Sequence, residues 1–225
     1  MPMPDETMPD DAMPAEAAGA ISLAGAVAVL HTVRRSDEVI ITSMGNAREW
    51  MRLLPHPLDF VFVPSAMGHA TSLGLGLALA RPAQRVIACI GDGSLLMNLG
   101  TLVTISAAAP PNLTVVVFDN GVYEITGAQP TPGAAAGRAG SERIDLEGLA
   151  RASGIATVHR PATLEEWERE ARALLDQTGP SLILLEVAPV PAAKGPRSPG
   201  PTAERSAAFM RALQESDRHG DRSSF

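Results

Sequence analysis

Residues 86–94 read Val-Ile-Ala-Cys-Ile-Gly91-Asp92-Gly93-Ser94, and residues 113–123 read Leu-Thr-Val-Val-Val-Phe-Asp119-Asn120-Gly121-Val122-Tyr123. A segment of helical period lies between them. Two short apolar runs rich in β-branched residues, flanking such a segment, make a β-α-β unit whose strands run parallel. Both strands end in polar, glycine-bearing loops. In an open α/β sheet, ligands bind at the carboxyl ends of the strands. The pattern therefore sets Asp92 and Asn120 side by side at the functional edge.

A carboxylate, an amide oxygen and an exposed loop carbonyl are hard oxygen ligands. They suit an octahedral Mg²⁺ that takes its remaining oxygens from a phosphate-bearing substrate or cofactor. Gly91 and Gly93 let the backbone approach an anion closely. Ser94 opens the next helix, whose free N–H groups favour a diphosphate. A tight strand-to-helix turn with an aspartate cap is the alternative, and a lone Gly-Asp-Gly does not decide between them. Asp-Asn-Gly at the end of the next strand tips the reading toward metal and phosphate.

The rest of the chain repeats the same alternation. Helices are expected over about 15–34, 47–53, 69–80, 145–153 and 163–178, and strands over 39–42, 60–63, 155–158 and 181–187. Ser43-Met-Gly45-Asn46 ends the first strand in small polar residues. Thr163 and Glu166 have the spacing of a capping box. Arg81-Pro82 closes the helix before the central unit. That helix carries Gly74 and Gly76, each costing about 1 kcal/mol against alanine, which points to close backbone packing. The fold expected is α/β: a doubly wound, mostly parallel sheet of about six strands. Three parts follow: an acidic, Met- and Pro-rich disordered leader over 1–14, one domain over 15–190, and a linker, short helix (203–214) and tail over 191–225. Five prolines between 189 and 201 mark the linker.

With 225 residues, 45% of them hydrophobic, the chain makes one sizeable globular domain. A net charge of −7 without a basic cluster offers nothing to nucleic acid or an anionic membrane surface. Residues 16–33 are largely apolar, but Glu16, Ser22 and His31 interrupt them and the leader is acidic, so neither a signal peptide nor a membrane span is expected. The single cysteine, Cys89, falls in a buried strand and reads as a core residue of a cytoplasmic protein. No G-x-G-x-x-G follows the first strand and no G-x-x-x-x-G-K-[ST] exists, so nicotinamide and P-loop chemistry lack their phosphate loops.

Gly91-Asp92-Gly93-Ser94 with Asn120-Gly121-Val122-Tyr123 resembles the cofactor motif of thiamine-diphosphate enzymes, in their diphosphate-binding domain. Pro64-Ser-Ala-Met-Gly-His69-Ala, Leu95-Leu-Met-Asn-Leu-Gly100 and Thr126-Gly-Ala-Gln-Pro-Thr131 are similar to sulfopyruvate and phosphonopyruvate decarboxylases, above all to the separate small (beta) subunit of two-chain members. The resemblance spans about residues 20–190. It implies thiamine diphosphate and Mg²⁺ as cofactors, with Asp92, Asn120 and the Val122 carbonyl on the metal and Gly91, Gly93, Ser94 and Tyr123 around the diphosphate. Gly45 and Asn46 would touch the diphosphate and aminopyrimidine. Ser65 would supply a carbonyl to the cofactor's amino group, while Met67, followed by Gly68, would wedge the cofactor into a V shape. His69 stands where a catalytic or substrate-binding role is conceivable, against a structural one. Glu124 reads as a solvated carboxylate, and Gly133 to Gly140 as a mobile, small-residue lid.

Such enzymes use the cofactor as an electron sink that lets a 2-oxoacid lose CO₂. The family's activating glutamate belongs to a pyrimidine-binding domain of roughly another 150 residues, for which there is no room here. The expected partner is an alpha subunit carrying that glutamate, and the substrate a small 2-oxoacid. Arg48, Arg138 and Arg143 could meet its anionic group, or only solvent. Three other readings stay open: a carboligase of acetolactate-synthase type, a 2-oxoacid:ferredoxin oxidoreductase beta subunit, which lacks cysteine clusters here, and a non-catalytic cofactor-binding module.

Overall fold

The computed structural model describes residues 21–61, 67–134, 143–190 and 199–220. The leader over 1–14, Ser65, Arg138 and most of the glycine-rich stretch over 133–140 lie outside them. Six parallel strands form one sheet: β1 (Val39–Thr42), β2 (Asp59–Phe60), β3 (Val86–Gly91), β4 (Leu113–Asp119), β7 (Thr157–His159) and β8 (Ser181–Glu186), in the order β2-β1-β3-β4-β8-β7. A small antiparallel hairpin, β5 (Val122–Tyr123) and β6 (Gln129–Pro130), stands apart from it. The expected six-strand doubly wound sheet is present.

Each central strand is apolar at successive positions because both faces are covered. Val39, Ile41, Ala88, Ile90, Val115, Val117, Leu182 and Leu184 point into one core. Its cover is α3 (Ala70–Ala80), α5 (Thr101–Ala108), α6 (Leu146–Ala152) and α8 (Thr202–Gly220). Ile40, Ile87, Cys89, Val116, Phe118, Ile183 and Leu185 point into the other, beneath α1 (Leu23–Val33) and α7 (Leu164–Leu175). Cys89 is a buried free thiol, and burial holds its pKa far above the ordinary range. Trp167 of α7 is fully buried there and donates its indole N–H to the Ala26 carbonyl at 3.0 Å.

Several boundaries differ from expectation for local reasons. α1 starts at Leu23 rather than near Ala15, because Ile21 bridges Val187 beside β8 and the Ser22 hydroxyl then caps the Gly25 N–H at 3.1 Å. α2 (Met44–Trp50) begins before Ala47: the Asn46 side chain reaches back to the Ser43 N–H at 3.1 Å and starts the helix inside the presumed loop. β2 pairs at Asp59 and Phe60 with Ile40 and Ile41. The helix after β3 breaks in two, α4 (Asp92–Met97) and α5, where Asn98 turns its amide to the Gly68 carbonyl at 3.1 Å. In α7 the Thr163 hydroxyl caps the Glu166 N–H, but the Glu166 carboxylate takes the Ala162 N–H instead of completing the box.

Gly74 faces β3, where a Cβ would come within 2.9 Å of the Ala88 Cβ, so its packing role is real. Gly76 has open space in that position. The C-terminal helix exceeds the expected 203–214 and packs against the sheet edge. Phe209 stacks on Phe60 at 5.1 Å between ring centroids, and the Arg205 guanidinium lies 5.5 Å over the Phe60 ring. No helix among the described residues is long and apolar enough to cross a membrane.

Candidate functional site

β1 and β3 are neighbours in the sheet, although β2 lies between them in the chain. The strand order reverses there, and the loops leaving the two strands splay apart into a crevice. A cleft of about 200 Å³ opens at this point. Met44, Gly45 and Asn46 line it after β1, Gly91 to Ser94 after β3, and Asn120, Val122, Tyr123 and Glu124 after β4. The two motifs of the sequence thus meet at one edge.

Gly91 pairs with Phe118 across β3 and β4, which sets Asp92 level with Asp119 and next to Asn120. Asp92 is 3% exposed. Its Oδ2 accepts the Thr131 hydroxyl at 2.9 Å, and the N–H groups of Gly93 and Asn120 also donate to the carboxylate. Burial, then the charge of Asp119, push its pKa up to about 6 against these donors. Asp119 is ion-paired with Arg143, which also lies 3.5 Å from Glu186, itself paired with Arg160. Among the described residues, Asp119 therefore has a counter-charge, whereas Asp92 is held by neutral donors.

The Asn120 Oδ1 accepts the Val122 N–H at 3.0 Å and keeps a second lone pair. Asp92, Asn120 and Val122 all line the cleft, where a carboxylate, an amide oxygen and a backbone carbonyl would make a hard-oxygen set, and a divalent cation would relieve the buried carboxylate. The residues present therefore fit a metal that carries a diphosphate, with the first turn of α4, whose N–H groups have no intrahelical carbonyl, beside it.

The glycines serve different ends. A Cβ on Gly93 would collide with the Tyr123 ring, so Gly93 is small to admit that ring as well as any anion. A Cβ on Gly91 would have nothing nearer than the Phe118 carbonyl at 3.9 Å. Gly45 and Asn46 sit in the first turn of α2 rather than in a loop. Gly45 faces the cleft, and Asn46 is buried with its side chain on Ser43.

Met67, 51% exposed, lines the cleft with Met97. Gly68, at φ +81°, packs against α4, where a Cβ would press on Asn98 and the Ser94 carbonyl. His69 does not come into the cleft: it is exposed at the start of α3, with Nδ1 3.0 Å from the Met67 carbonyl oxygen. Ser65 lies outside the described residues.

Glu124 is not a solvated carboxylate. It is half-buried, accepts the Val190 N–H at 2.7 Å, and lies 2.9 Å from where a Gly45 Cβ would stand. Arg143 is committed to Asp119 and Glu186. Sequence reasoning missed Thr131, Asp119 and Met44, whose φ is +53° at the turn into α2. Asp119 adjoins the motif residue Asn120 and was in plain view. Thr131 needs the hairpin to fold back on α4, which no periodicity signals.

Residues 43–185 match the family described as thiamine pyrophosphate enzyme, C-terminal TPP binding domain. The phosphonopyruvate decarboxylase of Streptomyces viridochromogenes is 35% identical over 153 residues, covering 68% of this chain and 36% of that protein. The sulfopyruvate decarboxylase subunit beta of Methanocaldococcus jannaschii is 33% identical over 152 residues, covering 68% of this chain and 76% of that one. Among solved structures, the thiamine diphosphate-dependent 4-hydroxybenzoylformate decarboxylase of Rhodococcus jostii RHA1 shares the fold. Its TM-score is 0.61 at 22% identity, over 76% of this chain and 33% of that one. A doubly wound sheet with a cleft at its switch point is thus the frame of a cofactor-binding domain. This chain belongs to the thiamine pyrophosphate enzymes and carries their C-terminal TPP binding domain. It spans about a third of the length of the phosphonopyruvate decarboxylases it matches.

Proposed function

We propose that the protein is the beta-type subunit of a cytoplasmic, two-chain, thiamine-diphosphate-dependent 2-oxoacid decarboxylase. Its cofactor-binding domain grips thiamine diphosphate through Mg²⁺. Asp92, Asn120 and the Val122 carbonyl hold the metal, while Gly93 leaves room for the diphosphate and Ser94 meets it at the start of α4. Met67 supports the cofactor's bend from the rim. The bound cofactor supplies the electron sink for loss of CO₂. The single observation that carries the reading is the buried Asp92 carboxylate, held by neutral donors beside the Asn120 amide in a switch-point cleft.

A second chain with a pyrimidine-binding domain completes the site and brings the activating glutamate. Two features support this. The cleft, about 200 Å³, is below the roughly 300–1,000 Å³ of ordinary enclosed ligand sites. Its mouth also carries exposed Met67, Met97 and Ile125. The names of the relatives favour sulfopyruvate or phosphonopyruvate as substrate.

The test combines binding and turnover. The chain, with an alpha-type partner, is expected to bind thiamine diphosphate only with Mg²⁺ and to release CO₂ from one of these acids. Asp92→Ala should abolish Mg²⁺-dependent cofactor binding. Unchanged binding by that variant would refute the metal assignment. Cofactor binding without CO₂ release from any 2-oxoacid of a panel would refute the decarboxylase.

A further inference from the structure

The hairpin β5–β6 ends at Thr131, and that residue is built into the site more deeply than its place in a loop implies. It is 1% exposed. Its N–H donates to the Gly121 carbonyl at 2.8 Å, closing the hairpin. Its hydroxyl donates to Asp92 Oδ2 at 2.9 Å. Its methyl group stands 3.1 Å from where a Gly93 Cβ would be, filling the space above the first turn of α4. One residue therefore fixes both the hairpin, through its backbone, and the carboxylate, through its side chain.

We propose that Thr131 is a positioning residue that acts through Asp92 and sets the cation preference of the site in favour of Mg²⁺ over Ca²⁺. The proposal rests on the reading of Asp92, Asn120 and Val122 as metal ligands. The physical argument concerns the number of oxygens on offer. Mg²⁺ requires six ligands in near-ideal octahedral geometry at about 2.0–2.1 Å, whereas Ca²⁺ takes six to eight at about 2.3–2.6 Å and readily accepts a carboxylate through both oxygens. The Asp92 carboxylate has about four lone-pair sites, of which the Thr131 hydroxyl and the Gly93 and Asn120 N–H groups take three, so it presents one to a metal and the bidentate mode that Ca²⁺ exploits is closed. Burial of Thr131 and its backbone bond to Gly121 keep the hydroxyl from turning away. Partners of this kind, one step removed from the metal, commonly affect affinity about 10–100-fold.

The experiment is calorimetric titration of thiamine diphosphate into the full chain, with its partner where one copurifies, in the presence of Mg²⁺ or of Ca²⁺. Wild type, Thr131→Val and Thr131→Ser are compared. Wild type is expected to bind better with Mg²⁺. Thr131→Val should lose about 10–100-fold in Mg²⁺-supported affinity and distinctly less with Ca²⁺, so that the ratio between the two cations narrows. Thr131→Ser, which keeps the hydroxyl, should restore the wild-type ratio. A Thr131→Val protein whose two affinities fall together, with the ratio unchanged, would reduce Thr131 to a structural residue and overturn the proposal. If Thr131→Val does not fold, wild type decides: equal support from both cations overturns the proposal and leaves the metal reading standing. A wild-type protein with no cation-dependent binding overturns both.

Discussion

At Asp92 the fold opposes the charge that a metal ligand needs. Burial and the neighbouring Asp119 raise its pKa from 3.8 to about 6. The sign of the consequence follows by linkage. Between these two values the folded chain holds a proton that the unfolded chain has lost. The stability contributed by this group is present below the lower value and is lost as pH rises through the higher one. In the metal-free protein, Asp92→Asn should therefore flatten the decline in stability across roughly pH 4 to 6, while cofactor binding with Mg²⁺ disappears. Urea unfolding midpoints of both proteins across that window, with metal excluded, measure it. An identical slope would show that the carboxylate is not strained by its surroundings. Asp92 and Asn120 were legible in the sequence because each closes a strand, where topology alone fixes the neighbours. Thr131 and the Glu124 contact with Val190 were not, because both depend on how a short hairpin folds back on the sheet edge.

The element that shows most clearly what sequence can and cannot say is α3. Its span was legible from Arg81-Pro82 and the helical period, and its two glycines were read as one packing feature. The structure separates them. Gly74 lies on β3 against Ala88, with no room for a side chain, whereas Gly76 is exposed with open space around it. Gly76→Ala should raise stability by about 0.5–1 kcal/mol, since the helix gains a better former at no steric cost. Gly74→Ala should lower it by about 1–3 kcal/mol through overpacking against the sheet. Opposite shifts of the unfolding midpoint are the expected result, and shifts of the same sign would place the helix differently on β3. The same limit explains the early start of α2. A glycine and an asparagine after a strand read as loop by composition, yet the Asn46 contact with the Ser43 N–H initiates a helix there.

For the whole molecule, the doubly wound sheet was legible because strands buried on both faces cannot hide their apolar runs. Alternate residues of β1, β3, β4 and β8 divide between two cores. The C-terminal helix was harder to place, since the proline-rich stretch before it reads as the end of a domain. α8 nonetheless adds Phe209 and Leu213 to the core that α3 and α5 cover, and Arg81 donates to the Leu213 carbonyl. We propose that the domain extends past residue 190 to include α8, which packs beside the edge strand β2. Phe209 is 7% exposed and packs on Phe60. Phe209→Ala should cost about 3 kcal/mol, near the lower end for buried phenylalanine because the site lies at the sheet edge. If α8 belongs to the domain, the midpoint of the single unfolding transition falls while its denaturant dependence keeps its slope. If α8 were an appended tail, the main transition would stay in place and a separate, non-cooperative loss of helix signal would precede it. Circular dichroism, which follows the helix, and tryptophan fluorescence, which follows Trp50 and Trp167 in the opposite core, distinguish the two. Coincident transitions displaced together are the expected outcome.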